Sequence, residues 1–203
     1  MSQNERIQQL LENTEPLTWP RGNRTPLYLW SAMDVEMGDD TVTEWVLHQL
    51  DVRGIGAIST WVPERKEQTL AAGLRVGAIQ HRLGLSTNIN ATPCTDAFCN
   101  GDPRTAHINE RGEPFFDLSF AKNRKMGCPF ALDFRTPAMR QGVETFVKAY
   151  ADAGVPIDFI FADWEIDGPI EWNGAWQASK RCQRCQEHIP NIDDFTAFQT
   201  ALR

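Results

Sequence analysis

The sequence predicts an α/β protein made of repeated strand–helix units whose strands run parallel in one sheet. Three observations lead to this prediction: apolar runs alternate with amphipathic segments, Gly or Pro separates them, and the first three strands start about 30 residues apart. Alternation of strands with helices is typical of a parallel sheet covered by helices. Such a sheet is either open and doubly wound or closed into an eight-stranded barrel.

The first unit begins with the apolar run PLYLWSAMD at 26–34, which predicts a buried strand that ends in an acid. Thr41 and Glu44 predict a capping box at the start of the helix that follows, and Gly54 is placed to end that helix. Trp45 lies at helical core spacing, so we interpret it as a packing residue.

The second unit has a predicted strand at 54–61 and a helix that begins near Pro63 and ends before Gly84. A third strand at 85–90 leads into a long third loop, about 91–134, which is rich in Pro, Gly, Asn and Cys. Breaker residues at this density predict an irregular segment.

A helix follows the third loop, with Thr136 as its predicted N-cap and Pro137 at its first position. The strand at 156–165 comes next. A last helix, from about residue 191, has acids near its start, where the helix dipole favours them. The chain therefore carries about four strand–helix units.

The ends of the strands favour a barrel of the TIM type, (β/α)8, over a dinucleotide-binding sheet. The first strand leads into SAMDVEMGDD, which is acidic and lacks a Gly-rich phosphate turn. Polar or aromatic side chains end every strand, as at the catalytic face of a barrel. A full barrel takes about 250 residues. We therefore expect an N-terminal extension at 1–25 and a partial barrel at 26–203 that forms the N-terminal half of a longer one.

Composition excludes several classes of partner. The net charge of −7 argues against nucleic-acid binding, which normally needs a basic face. No apolar run approaches the ~20 residues that span a bilayer. The N-terminus has no secretory signal pattern, so we expect a cytoplasmic protein, or a secreted one if the N-terminus is incomplete. The five cysteines fit poorly with a fully oxidised disulfide framework.

The stretch FIFADWEIDGP, Phe159 to Pro169, carries acids at alternate positions after an apolar strand. Because side chains alternate across a strand, Phe159, Phe161, Asp163 and Glu165 are expected on one face. Two carboxylates this close raise the cost of ionising both, so one keeps its proton to higher pH. This pairing predicts acid–base catalysis by Glu165 and Asp163. Asp167 is interpreted as turn chemistry before Gly and Pro.

The same stretch resembles the fourth strand of (β/α)8 glycoside hydrolases. In the chitinase-like family that strand reads D-G-x-D-x-D-W-E. This chain matches the pattern at Asp158, Asp163, Trp164 and Glu165 and departs from it at Phe159 and Phe161. The resemblance implies that Glu165 protonates the glycosidic oxygen. Retaining β-glycosidase barrels also place their acid/base Glu at the end of strand four.

A third resemblance is to β-galactosidase-like barrels, whose fourth loop carries a cysteine cluster followed by a helix. The segment CQRCQEHIPNIDDFTAFQTAL is similar to that arrangement. Together these similarities suggest a remote glycoside-hydrolase-like barrel that acts on a carbohydrate substrate. The second catalytic carboxylate is either Asp163 or a residue from another strand, at the separation that retaining or inverting hydrolysis requires.

Further residues near the predicted strand ends are candidates for sugar contact. The acids and amides can exchange hydrogen bonds with hydroxyls, and the indoles can stack on sugar rings. Helix-cap or turn roles remain open for the acids and amides. The candidates are Asp34, Glu36, Trp61, Asn88, Asn90, Trp164, Trp172 and Trp176.

Cys182 and Cys185 form C-x2-C and are candidate ligands of a structural zinc ion. His188, and Cys94 or Cys99 from the third loop, are the expected partners, because zinc takes four sulfur or imidazole ligands. Reduced thiols and a disulfide are the alternatives. Hydrolysis itself is expected to require no cofactor.

Hydrolysis or transfer of glycosidic bonds is the function that the sequence favours. A first alternative is a metal-dependent barrel hydrolase or isomerase that uses Asp163, Glu165 and Asp167 to hold Mg²⁺ or Mn²⁺. A second alternative is a barrel that binds carbohydrate through its Trp residues without catalysis.

Overall fold

The chain folds into two compact units. The computed structural model describes residues 3–19, 26, 28–30, 39–94, 100–119, 123–162 and 174–202. Met1–Pro93 and Val143–Ala162 form the first unit, here called the sheet unit. Cys94–Gly142 and Asp163–Arg203 form the second, here called the cysteine unit.

The described ranges contain helices and short strands. The strands are β1 (Tyr28–Trp30), β2 (Ile55–Thr60), β3 (Asn88–Asn90), β4 (His107–Ile108), β5 (Pro114–Phe115) and β6 (Phe159–Phe161). The α-helices are α1 (Gln3–Glu12), α2 (Asp40–Asp51), α3 (Lys66–Arg82), α4 (Leu132–Asp152), α5 (Ala175–Lys180), α6 (Gln183–His188) and α7 (Phe195–Leu202). Short 3₁₀ helices occupy Pro63–Arg65 and Pro103–Thr105. No helix in these ranges is both long and apolar enough to span a membrane.

The sheet unit contains a parallel four-stranded sheet in the order β1-β2-β3-β6. Ile58 pairs with Asn88 and Asn88 with Phe159, while Thr60 pairs with Asn90 and Asn90 with Phe161. The prediction of parallel strands joined through helices is therefore confirmed. Within the described ranges β1 and β6 stand at opposite ends of the order, so these strands do not close a barrel.

Helices α2 and α3 cover one face of β2. Ile55 and Ala57 point to that face because alternate residues of a strand share a side. They pack with Ile7 of α1, although residues 1–25 are predicted to be an extension. The remaining members of this apolar cluster are Val46, Leu47, Leu50, Val76 and Ile79.

Trp61 directly follows β2 and packs among the helices of the sheet unit. Its ring is fully buried, stacks on Phe146 with 4.9 Å between ring centroids, and meets Tyr150 edge-on at 5.6 Å. A Cβ atom at Gly73 would lie 2.3 Å from Tyr150 Oη, so α3 needs a glycine there for the tyrosine to fit.

Several predicted helix boundaries need correction. The N-cap of α2 is Asp39, whose carboxylate accepts a hydrogen bond from the Val42 amide at 2.9 Å, and not Thr41. Pro137 lies inside α4, which starts at Leu132, because the helix extends about one turn before the predicted cap. Trp45 is 52 % exposed, so it does not pack into the core of the sheet unit.

The cysteine unit has little regular structure. Its third-loop segment, predicted to be irregular, contains the antiparallel hairpin β4–β5, in which His107 pairs with Phe115. A further antiparallel bridge joins Asp117 to Met126. Helices α5 and α6 are short and were not predicted. The unit must therefore gain much of its cohesion from side chains.

Candidate metal centre

Four buried side chains of the cysteine unit converge on one point: His107, Cys128, Cys182 and Cys185. Their potential ligand atoms all lie within 4.8 Å of one another. His107 belongs to β4, Cys128 follows the bridge at Met126, and the other two cysteines flank the start of α6. Three segments that are distant in sequence thus meet at this cluster.

The distances between sulfurs fit a metal site. Cys128 Sγ lies 3.6 Å from both Cys182 Sγ and Cys185 Sγ. A disulfide bond would need about 2.05 Å. Zinc–sulfur bonds of about 2.3 Å at tetrahedral angles place two sulfurs about 3.8 Å apart. The observed separation is close to that value, and none of the four described cysteines forms a disulfide.

His107 completes the donor set with an imidazole. Its side chain is buried, and its Nδ1 atom has no hydrogen-bond partner among the described residues. The ring stacks on Phe115 with 5.1 Å between centroids. A buried ring nitrogen without a partner is costly in an apolar surrounding, and a bound metal ion is one way to satisfy it.

The first turn of α6 presents two of the sulfurs. Cys182 is the N-cap of α6, and Cys185 lies within the first turn. The Cys182 carbonyl accepts a hydrogen bond from the Gln186 amide at 3.0 Å, and the Cys185 carbonyl accepts one from the Ile189 amide at 2.8 Å. The C-x2-C spacing therefore brings both sulfurs to the same end of the helix.

The third sulfur is placed by a close approach of two backbones. The Cys128 amide donates to the Thr105 carbonyl at 2.7 Å. A Cβ atom at Gly127 would lie 2.6 Å from Thr105 Oγ1, so only glycine permits this approach. The Cys128 carbonyl in turn accepts from the Ala131 amide at 3.1 Å.

The three thiols share charge unevenly. Hydrogen bonds from Cys128 and from Cys185 stabilise the Cys182 thiolate and lower the pKa of that group. The same contact with Cys182 raises the pKa of Cys128 to about 12, and contacts with both neighbours raise the pKa of Cys185. A divalent cation that binds these sulfurs would displace the protons of the thiols.

Apolar side chains surround the cluster. Met126, Ala131, Ile189 and Phe198 are buried beside the three cysteines. Trp176, predicted to contact sugar, is half-buried against this core, and its Nε1 donates to the Ile192 carbonyl at 2.8 Å. This shell keeps water away from the sulfurs, as in structural metal sites.

The sequence identified two of the four residues, and its choice of partners needs correction. His188 is exposed, stacks on Phe130 at 4.7 Å and contacts the Arg184 carbonyl at 2.8 Å through Nδ1. Cys94 is outside the cluster, and Cys99 lies outside the described residues. Cys128 and His107 take their places. Neither stands in a recognisable ligand spacing, because Cys128 is 54 residues from Cys182.

Two of the predicted sugar-contact residues in the sheet unit, Trp61 and Asn88, are buried. Trp61 is buried, and its contacts with Phe146 and Tyr150 do not fit the predicted stacking on sugar. Asn88 is buried and donates to the Ala57 and Ser86 carbonyls at 3.1 Å. The other candidates of the predicted active site lie outside the described residues: Asp34, Glu36, Asp163, Trp164, Glu165 and Trp172.

Asn90 lies on the same face of β3 as Asn88 but at the carboxyl end of the strand. It is half-buried, and its Oδ1 accepts from the Thr92 amide at 3.0 Å. This hydrogen bond fits the predicted turn role, and the sugar-binding role stays a prediction.

Three sulfurs and one imidazole nitrogen form a donor set that suits zinc. Comparisons with protein-family models, with curated proteins and with solved structures find no match to this chain. The donor atoms of the cluster, their spacing and their burial are the observations that bear on its function.

Proposed function

We propose that the cysteine unit binds one Zn²⁺ ion through His107, Cys128, Cys182 and Cys185. The convergence of four buried ligand atoms within 4.8 Å carries this proposal. Four protein ligands fill a tetrahedral zinc site and leave no position for substrate, so the role is structural. The ion would link the β4–β5 hairpin, the Cys128 segment and α6.

Metal analysis of the purified chain tests this proposal. We expect one zinc per chain, and a cobalt-substituted form with the visible absorption of tetrahedral thiolate coordination. Cys128→Ser should lose both signals, whereas Cys94→Ser should keep them, because Cys94 is outside the cluster. A folded wild-type chain that takes up neither zinc nor cobalt would exclude the site.

We further propose that the chain belongs to a (β/α)8-type glycoside hydrolase, with this region as its N-terminal half. The strand order β1-β2-β3-β6 favours this architecture, because the order follows the chain without reversal. A doubly wound sheet reverses the direction of strand addition at its switch point. Helices α2 and α3 also cover the same face of β2.

The proposed chemistry uses the carboxyl end of β6. Asp163 and Glu165 follow Phe161 by two and four residues, so strand alternation favours the same side for both. Glu165 would donate a proton to the glycosidic oxygen, and Asp163 would hold that proton in place through its charge. Within the sheet unit, Asn90 pairs with Phe161 and offers an amide for a sugar hydroxyl.

Substitution of Glu165 tests this activity. Glu165→Gln should abolish turnover of activated aryl glycosides while zinc content and folding are unchanged. Activity of the wild-type chain that depends on added Mg²⁺ or Mn²⁺ would favour the metal-dependent alternative. Tight oligosaccharide binding without turnover would favour a binding barrel. Full activity of the Glu165→Gln variant would exclude the proposed role of this residue.

A further inference from the structure

Two successive carbonyls just before β4, the strand that carries His107, accept hydrogen bonds from both cysteine-bearing segments. The Thr105 carbonyl accepts from the Cys128 amide at 2.7 Å. The next carbonyl, of Ala106, accepts from Nη1 of Arg184 at 2.8 Å. His107 is the next residue. The two hydrogen bonds therefore fix the backbone that leads into His107.

Arg184 is the side-chain member of this pair of bonds. It lies on α6 between Cys182 and Cys185, and it is half-buried. The Ala106 carbonyl that it meets belongs to a fully buried residue. A charged hydrogen bond to a buried carbonyl is stronger than a neutral one and costly to lose.

A second contact holds the His107 ring itself. Phe115 stacks on the imidazole at 5.1 Å, and the Arg181 guanidinium lies 4.8 Å over the Phe115 ring. Two arginines from the segment around C-x2-C therefore reach the β4–β5 hairpin, one to its backbone and one to its aromatic ring. Of these, only Arg184 bonds directly to the strand that enters His107.

We propose that Arg184 is a positioning residue that sets the metal preference of the site by holding His107 in place. This inference rests on the proposed zinc site. With the nitrogen fixed, the donor set is three sulfurs and one nitrogen, which suits zinc. With the nitrogen displaced, three thiolates remain, and thiolate-only sites favour softer cations. Loss of Arg184 should therefore weaken zinc binding more than cadmium binding.

Competition titrations with Zn²⁺ and Cd²⁺ on the full chain test the proposal. Loss of an outer-shell contact typically lowers metal affinity about 10–100-fold, and we expect Arg184→Ala to lose zinc affinity on this scale. Its cadmium affinity should stay within about threefold of wild type, since the three sulfurs are kept. Arg184→Lys should recover most of the zinc affinity, because an ammonium can also donate to the Ala106 carbonyl.

Gln183→Ala is the matched control. Gln183 precedes Arg184 on α6, is exposed, and donates to the Glu110 carbonyl of the same hairpin at 3.4 Å, beyond His107. Its removal should change neither metal affinity. His107→Ala should show the same selective loss of zinc, and adding Arg184→Ala to it should cost nothing further, since both act through one ligand.

Three outcomes would overturn the proposed role of Arg184. Equal losses of zinc and cadmium in Arg184→Ala would show a general structural role and overturn the proposal, as would unchanged affinities. Additive losses in the double variant would also overturn it, because Arg184 would then act independently of His107. Failure of the wild-type chain to bind either metal would instead count against the zinc site itself.

Discussion

The sheet unit and the cysteine unit are held together in different ways. The sheet unit buries a continuous apolar cluster of helix and strand residues, and its helices reach 17 residues in α3. The cysteine unit has two-residue strands in its hairpin and six-residue helices beside it. Three of the seven buried residues of its core are cysteines that meet at one point.

This difference indicates how each unit is specified. Amphipathic helices and buried strands specify the sheet unit through periodic apolar residues, each of which contributes a small part of the stability. The cysteine unit concentrates its cohesion in four side chains from three segments. The sheet unit should therefore tolerate single changes, whereas the cysteine unit should fail when one ligand is lost.

Removal of the proposed zinc ion should have the largest effect. Structural zinc contributes roughly 10–16 kcal/mol of apparent binding free energy in zinc-finger peptides, and we expect a strong chelator to unfold the cysteine unit. Hydrogen exchange followed by mass spectrometry should show protection lost in α6 and in the β4–β5 hairpin. Protection in α2 and α3 should persist. Equal loss in both units would contradict the contrast between them.

A methyl group at Gly73 should destabilise the sheet unit. The new Cβ atom would lie 2.3 Å from Tyr150 Oη, and overpacking of this kind costs about 1–3 kcal/mol. Gly73→Ala should therefore unfold at lower denaturant concentration without losing zinc. Gly142→Ala in α4 is the control, because its nearest neighbour, Cys94 Cβ, lies at an ordinary 3.9 Å.

The tyrosine hydroxyl makes this prediction sharper. Tyr150 Oη is buried and makes no well-aligned hydrogen bond within the described residues, so Tyr150→Phe alone should cost less than Gly73→Ala. With the oxygen gone, the atom nearest to the new methyl group would be Cζ at 3.4 Å. Tyr150→Phe should therefore recover most of the stability lost in Gly73→Ala. Additive losses in the double variant would rule out the contact as the cause.

The two asparagines of β3 should separate stability from binding. Asn88→Ala removes donors to the Ala57 and Ser86 carbonyls and should lower the free energy of unfolding by about 1–2 kcal/mol. Asn90→Ala, at the carboxyl end of the strand, should change stability less, and under the proposed glycoside hydrolase function it should weaken sugar binding more. Thermal unfolding and glycoside titrations on both variants measure the two effects. A larger loss of stability in Asn90→Ala than in Asn88→Ala would contradict the structural role assigned to Asn88.

The helix cap of α2 gives the smallest predicted effect. Asp39→Ala should cost about 0.5–2 kcal/mol, because the carboxylate bonded to the Val42 amide is lost. Thr41→Ala should cost less, since Thr41 is already inside the helix. Denaturant unfolding of both variants compares them directly, and the opposite order would restore Thr41 as the cap.

Local patterns were sufficient for the repeat of the sheet unit. Strands predicted at 54–61 and 85–90 are present as β2 and β3, and the helix predicted between them is present as α3. Gly54 and Gly84 end their helices with positive φ angles, as their positions predicted. These features depend on neighbours within a few residues, which is why the sequence determines them.

Boundaries were less predictable where two residues compete for one role. Asp39 and Thr41 can both cap a helix, and the sequence does not say which backbone amide will lack a partner. The burial of Trp61 and Trp45 was equally hard to predict from the sequence. Both are large and apolar, but only the packing of Phe146 and Tyr150 decides that Trp61 is buried while Trp45 is exposed.

By itself the sequence determined the parallel strand–helix pattern, the glycines that end α2 and α3, and the candidate ligand pair in C-x2-C, because each is encoded within a few neighbouring residues. The tertiary structure alone decided that Cys128 and His107 join these cysteines in the candidate metal centre. Those residues approach through the β4–β5 hairpin, the glycine at 127 and the Arg184 bond to Ala106. Contacts between segments so distant in the chain leave no spacing pattern, so only the folded chain brings them together.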